Sequence, residues 1–142
     1  MKVPDLNILV AAFRVEHTHH QRMRTWLRGT LAKEQVGLAS PVATGVVRLL
    51  TNPAIWPEAD TVETALGHID ALRQNGSVTD IAPGAAHWSI FAELCRAADA
   101  RGNLASDAVL AAIAVEHGAT LVSFDRDFAK FPGLRWELPE LG

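Results

Sequence analysis

Apolar residues recur along this chain with two periods in turn, one suited to short strands and one to helices. Residues 2–4 read as a short opening strand leading into a helix over residues 5–13. Leu6, Leu9, Val10 and Phe13 share one face of that helix. A second helix covers 17–32, with Met23, Trp26, Leu27 and Leu31 on its apolar side. Residues 36–40 are strand-like, and Pro41 suits the opening of a helix over 42–50 that Asn52-Pro53 stops. An amphipathic stretch over 61–75 ends at Gly76. A short strand at 78–81 precedes a helix over 85–100, after which Gly102-Asn103 breaks the chain. Ser106 reads as the N-cap of a helix over 106–117, closed by Gly118. Residues 120–124 form the best strand of all, short, apolar and β-branched. Residues 134–138 offer a last edge strand between Pro132 and Pro139. Strands alternating with helices predict an α/β fold with a parallel sheet covered by helices.

Length and composition narrow this further. The 142 residues fit one domain spanning 1–142, and 49% hydrophobic with 20% charged residues is an ordinary globular balance. Gly and Pro are scattered as punctuation rather than gathered into a linker. The single cysteine, Cys95, excludes an internal disulfide and suits a reducing compartment. Its position inside the helical pattern of residues 88–95 reads as a buried structural thiol. No basic-then-apolar leader opens the chain and no apolar run is long enough for a membrane span, so a cytoplasmic protein is expected.

The chemistry is suggested by where three acids fall. Asp5 follows the first strand and opens the first helix. Asp107 opens the helix before the best strand, and Asp125 follows that strand directly in Ser123-Phe124-Asp125-Arg126-Asp127-Phe128. In an open parallel sheet the loops at the carboxyl ends of strands face one crevice, where ligands bind. Carboxylates converging there repel unless a cation holds them, and Mg²⁺ accepts one or two carboxylates while keeping positions for water and phosphate. Phosphodiester hydrolysis is the chemistry that follows. Each acid also has a plain alternative, Asp5 and Asp107 as helix caps and Asp125 to Asp127 as a turn. Their joint placement favours the metal. A net charge of −3 looks wrong for a nucleic-acid enzyme, yet four acids neutralised at a metal, with Asp127 as the fourth, leave 12 against 13 Lys and Arg.

At these residues the sequence resembles the PIN-domain family, and within it the VapC-type toxins of toxin–antitoxin systems. The resemblance runs through Val3-Pro4-Asp5-Leu6-Asn7-Ile8-Leu9-Val10, the 17–26 segment and Arg48-Leu49-Leu50-Thr51-Asn52-Pro53. It continues through Ser106-Asp107-Ala108-Val109-Leu110-Ala111-Ala112 and residues 121–128. It implies a three-layer α/β/α sandwich with a central, mostly parallel sheet. It also implies a Mg²⁺- or Mn²⁺-dependent endoribonuclease that cuts structured RNA, often tRNA, that commonly dimerises, and that a cognate VapB-like antitoxin holds inactive. The family's first, third and fourth acids match Asp5, Asp107 and Asp125, with Asp127 as a spare ligand and Asn7 as support. One departure stands out. Where many PIN domains carry a Glu on the helix after the second strand, this chain has Ala43 or Thr44. Losing that carboxylate weakens metal binding, above all for a second ion, and the Thr44 hydroxyl is only a neutral substitute.

Other residues carry weaker signals. Asn7 suits first-turn hydrogen bonding as well as support of the acids. Ser106, as N-cap, would bring its hydroxyl near the metal. His17, His19 and His20 lack the i, i+4 spacing of a helical zinc pair and read as structural or solvated. Arg14, Arg22, Arg24 and Arg28 are candidates for RNA phosphates against a solvated default, with Arg48 and Arg126 preferred as nearer the crevice. Trp26 and Trp88 fall on apolar stripes and are expected in the core, whereas Trp56 either stacks a base or seals its loop. The helical surface from Ala11 to Val47 is apolar enough for a second copy or an antitoxin. A haloacid-dehalogenase-like phosphatase fits poorly, because Asn7 stands where its second Asp belongs. A response-regulator receiver fits poorly because Asp80 lies within its strand. The stronger rival is a PIN domain that binds RNA or an antitoxin without cleaving.

Overall fold

The computed structural model describes residues 1–140. Five short strands, β1 (Lys2–Pro4), β2 (Val36–Ala39), β3 (Val78–Ile81), β4 (Thr120–Val122) and β5 (Arg135–Glu137), form one sheet in the order β3-β2-β1-β4-β5. Every neighbouring pair is parallel, so the sheet is wholly parallel rather than mostly so. Pro4 is tolerated within the central strand at its last position, opposite Val122. Val3, Val36, Leu38, Leu121 and Val122 are at most 2% exposed, as expected for strands covered on both faces.

Six helices make the crossovers: α1 (Leu6–Phe13), α2 (His20–Lys33), α3 (Ser40–Leu50), α4 (Val62–Arg73), α5 (His87–Ala98) and α6 (Asn103–Glu116). Helices α1 to α4 pack in series, while α5 packs on α6. From β1 to β3 the chain steps one way across the sheet, and from β3 to β4 it crosses back past β1. Right-handed crossovers therefore place α1–α4 on one face and α5–α6 on the other, giving the three-layer α/β/α sandwich. Glu116 fastens the second layer by accepting the Gly84 and Ala86 backbone N–H groups at 2.8 and 3.0 Å.

Several boundaries differ from the sequence reading, each for a local reason. Asp5 and Thr61 cap α1 and α4 with their side chains, at the expected places. The segment before α2 is taken up by turns, so that helix begins at His20. Ser106 is not an N-cap. Gly102, in the left-handed region at φ 57°, caps α6 instead, and the helix starts at Asn103 so that Leu104 packs against the core. Ser106 and Asp107 consequently lie inside the helix, Asp107 one turn in. Gly118, at φ 61°, ends α6 where expected. Trp26 packs against the core, but Trp88 is 74% exposed at the start of α5, while Ile90, Phe91, Leu94 and Cys95 pack inward.

Candidate functional site

The strand order reverses between β1 and β4, and the carboxyl ends of these two strands are where an open parallel sheet leaves a crevice. Asp5 leaves β1 there, and Ser123, Phe124 and Asp125 leave β4. The Asp5 N–H donates to the Val122 carbonyl at 2.8 Å, so the last rung of the ladder fixes both exits.

Ser123 is the hub of the crevice. It is fully buried, and its hydroxyl donates to Asp5 Oδ2 at 2.7 Å. It also accepts from Asn7 Nδ2 at 3.3 Å and from the Asp125 N–H at 3.0 Å. One donor and two acceptor lone pairs are thus all used. Its carbonyl accepts from Trp136 Nε1 at 3.2 Å, which ties the hub to β5. Asp5 Oδ1 accepts the Leu6 N–H at 2.7 Å, so both oxygens of that carboxylate are oriented. Asn7 reaches across to the β4 exit rather than bonding within its own first turn, with the Phe124 N–H 3.5 Å from its Oδ1. The sequence signal for Ser123 is slight: it is the one polar side chain in Thr120-Leu121-Val122-Ser123-Phe124 after the opening Thr.

Around this hub the acids gather. Carboxylate oxygens of Asp107, Asp125 and Asp127 all lie within 4.8 Å of one another. Asp125 caps the short 3₁₀ turn Arg126–Lys130 by accepting the Asp127 N–H at 2.9 Å. Desolvation, then the charges of Asp125, Asp5 and Asp127, push the Asp107 carboxyl up from 3.8 to about 6. Burial also raises Asp5, against the hydrogen bonds from Ser123 and Leu6, and the Asp125 charge adds to the rise. Asp127, expected only as a spare ligand, lies in this tight set with Asp107 and Asp125, while Asp5 lies outside it and acts on Asp107 through its charge. The only cation paired with the four acids among the described residues is Lys130, 3.0 Å from Asp127. A cluster of hard oxygen donors, repelling one another and nearly free of counter-charge, fits a divalent cation such as Mg²⁺.

The remaining candidates are dispersed. Thr44 is exposed, bonds back to the Ser40 and Pro41 carbonyls at 3.2 and 3.3 Å, and lines a shallow cleft with Arg73 and Asp80 over β2 and β3. It is not gathered with the aspartates. Ser106 is exposed on α6 beside Asp107. Arg126 is exposed between Asp125 and Asp127, and Arg48 is exposed in the last turn of α3, about 12 Å along the helix from Ser40. Neither has an ion-pair partner among the described residues. Arg14 is no phosphate contact. It is 5% exposed, pairs with Asp60 at 3.0 Å, donates to the Glu58 carbonyl at 2.6 Å and lies 4.7 Å over Trp56. Trp56 thereby seals its loop. Of the histidines, read as structural or solvated, His19 packs against Phe124 at the β4 exit, with ring centroids 5.2 Å apart and the planes tilted by 35°.

The family model of the PIN domain matches residues 2–134, which include this acidic cluster. VapC ribonuclease Mb2897 of Mycobacterium bovis is 38% identical over 136 residues, 95% of this chain and 92% of its own. Ribonuclease VapC25 of Mycobacterium tuberculosis is 36% identical over 138 residues, 96% of this chain and 97% of its own. The chain belongs to the PIN-domain family, among its VapC ribonucleases. In fold it is similar to VapBC2 of Rickettsia felis, solved on a promoter DNA fragment, with a TM-score of 0.74 at 19% identity over 98% of both chains. It is likewise similar to VapC20 of M. tuberculosis, described as a sarcin-ricin loop cleaving toxin, with a TM-score of 0.70 at 18% identity over 95% and 99%.

Proposed function

We propose that this chain is a Mg²⁺-dependent endoribonuclease toxin, with Mn²⁺ as a substitute ion, that hydrolyses phosphodiester bonds in structured RNA such as tRNA. The observation that carries the reading is the set of Asp107, Asp125 and Asp127 within 4.8 Å, almost without a cation of their own. These three would hold the ion, with Asp5 behind them. A divalent ion there supplies Lewis-acid polarisation of the phosphoryl group and activation of water. Ser123 and Asn7 orient Asp5 and the Asp125 backbone, as partners of metal ligands do elsewhere. Arg126, exposed and without an ion-pair partner among the described residues, suits a phosphate contact beside the cluster, and Arg48 a more distant one.

A cognate VapB-like antitoxin would restrain this activity. Support comes from a groove of about 510 Å³ between α1, α2 and α4, where Phe13, Leu27 and Leu31 form an apolar floor and Arg24 and Arg28 lie alongside. Such a groove suits an amphipathic acidic segment. A pair of copies is part of the proposal and is tested by sedimentation velocity.

Incubating the purified protein with total RNA, in Mg²⁺ or in EDTA, tests the central reading. Mg²⁺-dependent fragments that vanish in Asp5→Asn and Asp107→Asn support it. Binding without cleavage, indifferent to both substitutions, would instead make the chain a binding module, the reading favoured by Ala43 and Thr44 where a Glu is expected.

A further inference from the structure

Three rings run in a row toward the acids. His17 and His19 have centroids 5.8 Å apart, His19 and Phe124 are 5.2 Å apart at 35°, and Phe124 is followed in the chain by Asp125. The topology explains the meeting. Helix α2 ends at Lys33, just before β2 starts at the amino edge of the sheet, so its first turn, about 20 Å away, faces the carboxyl edge. The three neighbouring histidines, His17, His19 and His20, differ in how they are used. His17 Nδ1 accepts the His19 N–H at 3.0 Å, and His20 Nδ1 bonds the Ala11 carbonyl at 3.0 Å. The His19 ring makes no hydrogen bond among the described residues. It packs at a tilt against Phe124, and both residues are half-buried, unlike Phe128 and Phe131 at 1% and 2% exposed.

We propose that His19, held on Phe124, is an RNA-binding residue that stacks the nucleobase beside the scissile phosphate. A π face next to a phosphodiester site suits single-stranded RNA, because every base offers a face to stack while its phosphate reaches the acids. The inference rests on the ribonuclease reading and adds to it a contact that acts on binding rather than on the bond-breaking step.

The test uses the full chain and a short single-stranded RNA carrying 2-aminopurine at successive positions, with Ca²⁺ to hold the complex and Mg²⁺ to follow cleavage. The wild type should quench the fluorophore at one position. His19→Ala and His19→Leu should lose that quench and raise Kd and KM roughly ten-fold, the scale of one lost stacking contact, with kcat nearly unchanged. His19→Phe should restore both. If the wild type cleaves this RNA while His19→Ala keeps its KM and quench, the stacking role is overturned and the ribonuclease reading stands. Recovery in His19→Leu would show packing alone and also overturn it. A wild type that cleaves total RNA but neither binds nor cleaves this RNA overturns the stacking role alone, and one that cleaves neither overturns both.

Discussion

Asp60 and Asp125 are both half-buried carboxylates in loops, and the protein treats them in opposite ways. Asp60 meets Arg14, whose guanidinium also satisfies the Glu58 carbonyl and covers Trp56. Glu16 adds a second carboxylate 2.9 Å from Arg14 Nε, although out of line for a hydrogen bond. Asp125 meets two further carboxylates and has no ion-pair partner among the described residues. Where acids serve the fold, this chain brings its own cation. Where it gathers several with only Lys130 beside them among the described residues, the folded state carries their mutual repulsion, as the proposed metal site requires.

Breaking the second set should have the largest effect on activity. Asp107→Asn is expected to lower Mg²⁺-dependent RNA cleavage by more than about 100-fold, beyond what loss of a supporting partner costs, as followed on a labelled RNA. The same substitution removes the most repelled carboxylate, so the metal-free variant should melt higher than the metal-free wild type at pH 7.5. Lower activity with higher metal-free stability is the signature of a site built for an ion. Breaking the first set should do the reverse. Arg14→Met leaves the Glu58 carbonyl unpaired and Asp60 with only His68, 3.9 Å away, and should cost about 3 kcal/mol in urea unfolding, with the thermal shift on adding Mg²⁺ preserved.

Much of this contrast was readable in the sequence, and what was not has physical causes. Asp5 and Asp125 stood at strand exits, so a parallel sheet alone predicted their meeting at one edge. Arg14 could not be paired with Asp60 from spacing, because they stand 46 positions apart with two helices between them. Ser106-Asp107 carries a strong local capping signal, and burial of Leu104 outweighed it by drawing the helix back to Asn103. Helical periodicity placed Trp88 on an apolar stripe, but periodicity does not say how many neighbours a helix has. Ser123 was hidden because one hydroxyl in an apolar strand has a plain reading, and only three-dimensional structure shows that three partners converge on it.

Ser123→Ala sharpens the comparison from the supporting side. Asp5 Oδ2, Asn7 Nδ2 and the Asp125 N–H all lose their partner, so stability should fall by about 1–3 kcal/mol. Mg²⁺ affinity, measured by calorimetry, should weaken about 10- to 100-fold. Acidity offers a gentler probe. The folded Asp107 carboxyl, at about 6, binds its proton more tightly than the unfolded one at 3.8. Its contribution to metal-free stability is therefore present at low pH and lost as pH rises through about 6. Mg²⁺ acts in the opposite sense, since it binds the ionised cluster. The Tm gain on adding Mg²⁺ should be large at pH 7.5, smaller at pH 5, and absent in Asp107→Asn. A gain of equal size at both pH values would place the ion elsewhere.

The smallest effect should come from Asp80, an acid at the carboxyl end of the sheet like the site acids but supplied with its own cation. Arg73 Nε and Nη2 reach Asp80 Oδ2 at 3.0 and 2.8 Å, and this pair holds the Asp80 carboxyl below its ordinary value. Both side chains are more than half exposed, so solvent screens the pair, and Asp80→Asn should change urea stability by less than about 1 kcal/mol. Cleavage rate and Mg²⁺ affinity should be unaltered, because Asp80 lies beyond β2, on the far side of the sheet from β4. A fall in Mg²⁺ affinity in this variant would mean that the edge cleft with Thr44 and Asp80 takes part in holding the ion. The missing carboxylate of α3 would then be replaced from β3, and the contrast between paired and unpaired acids would no longer separate fold from function.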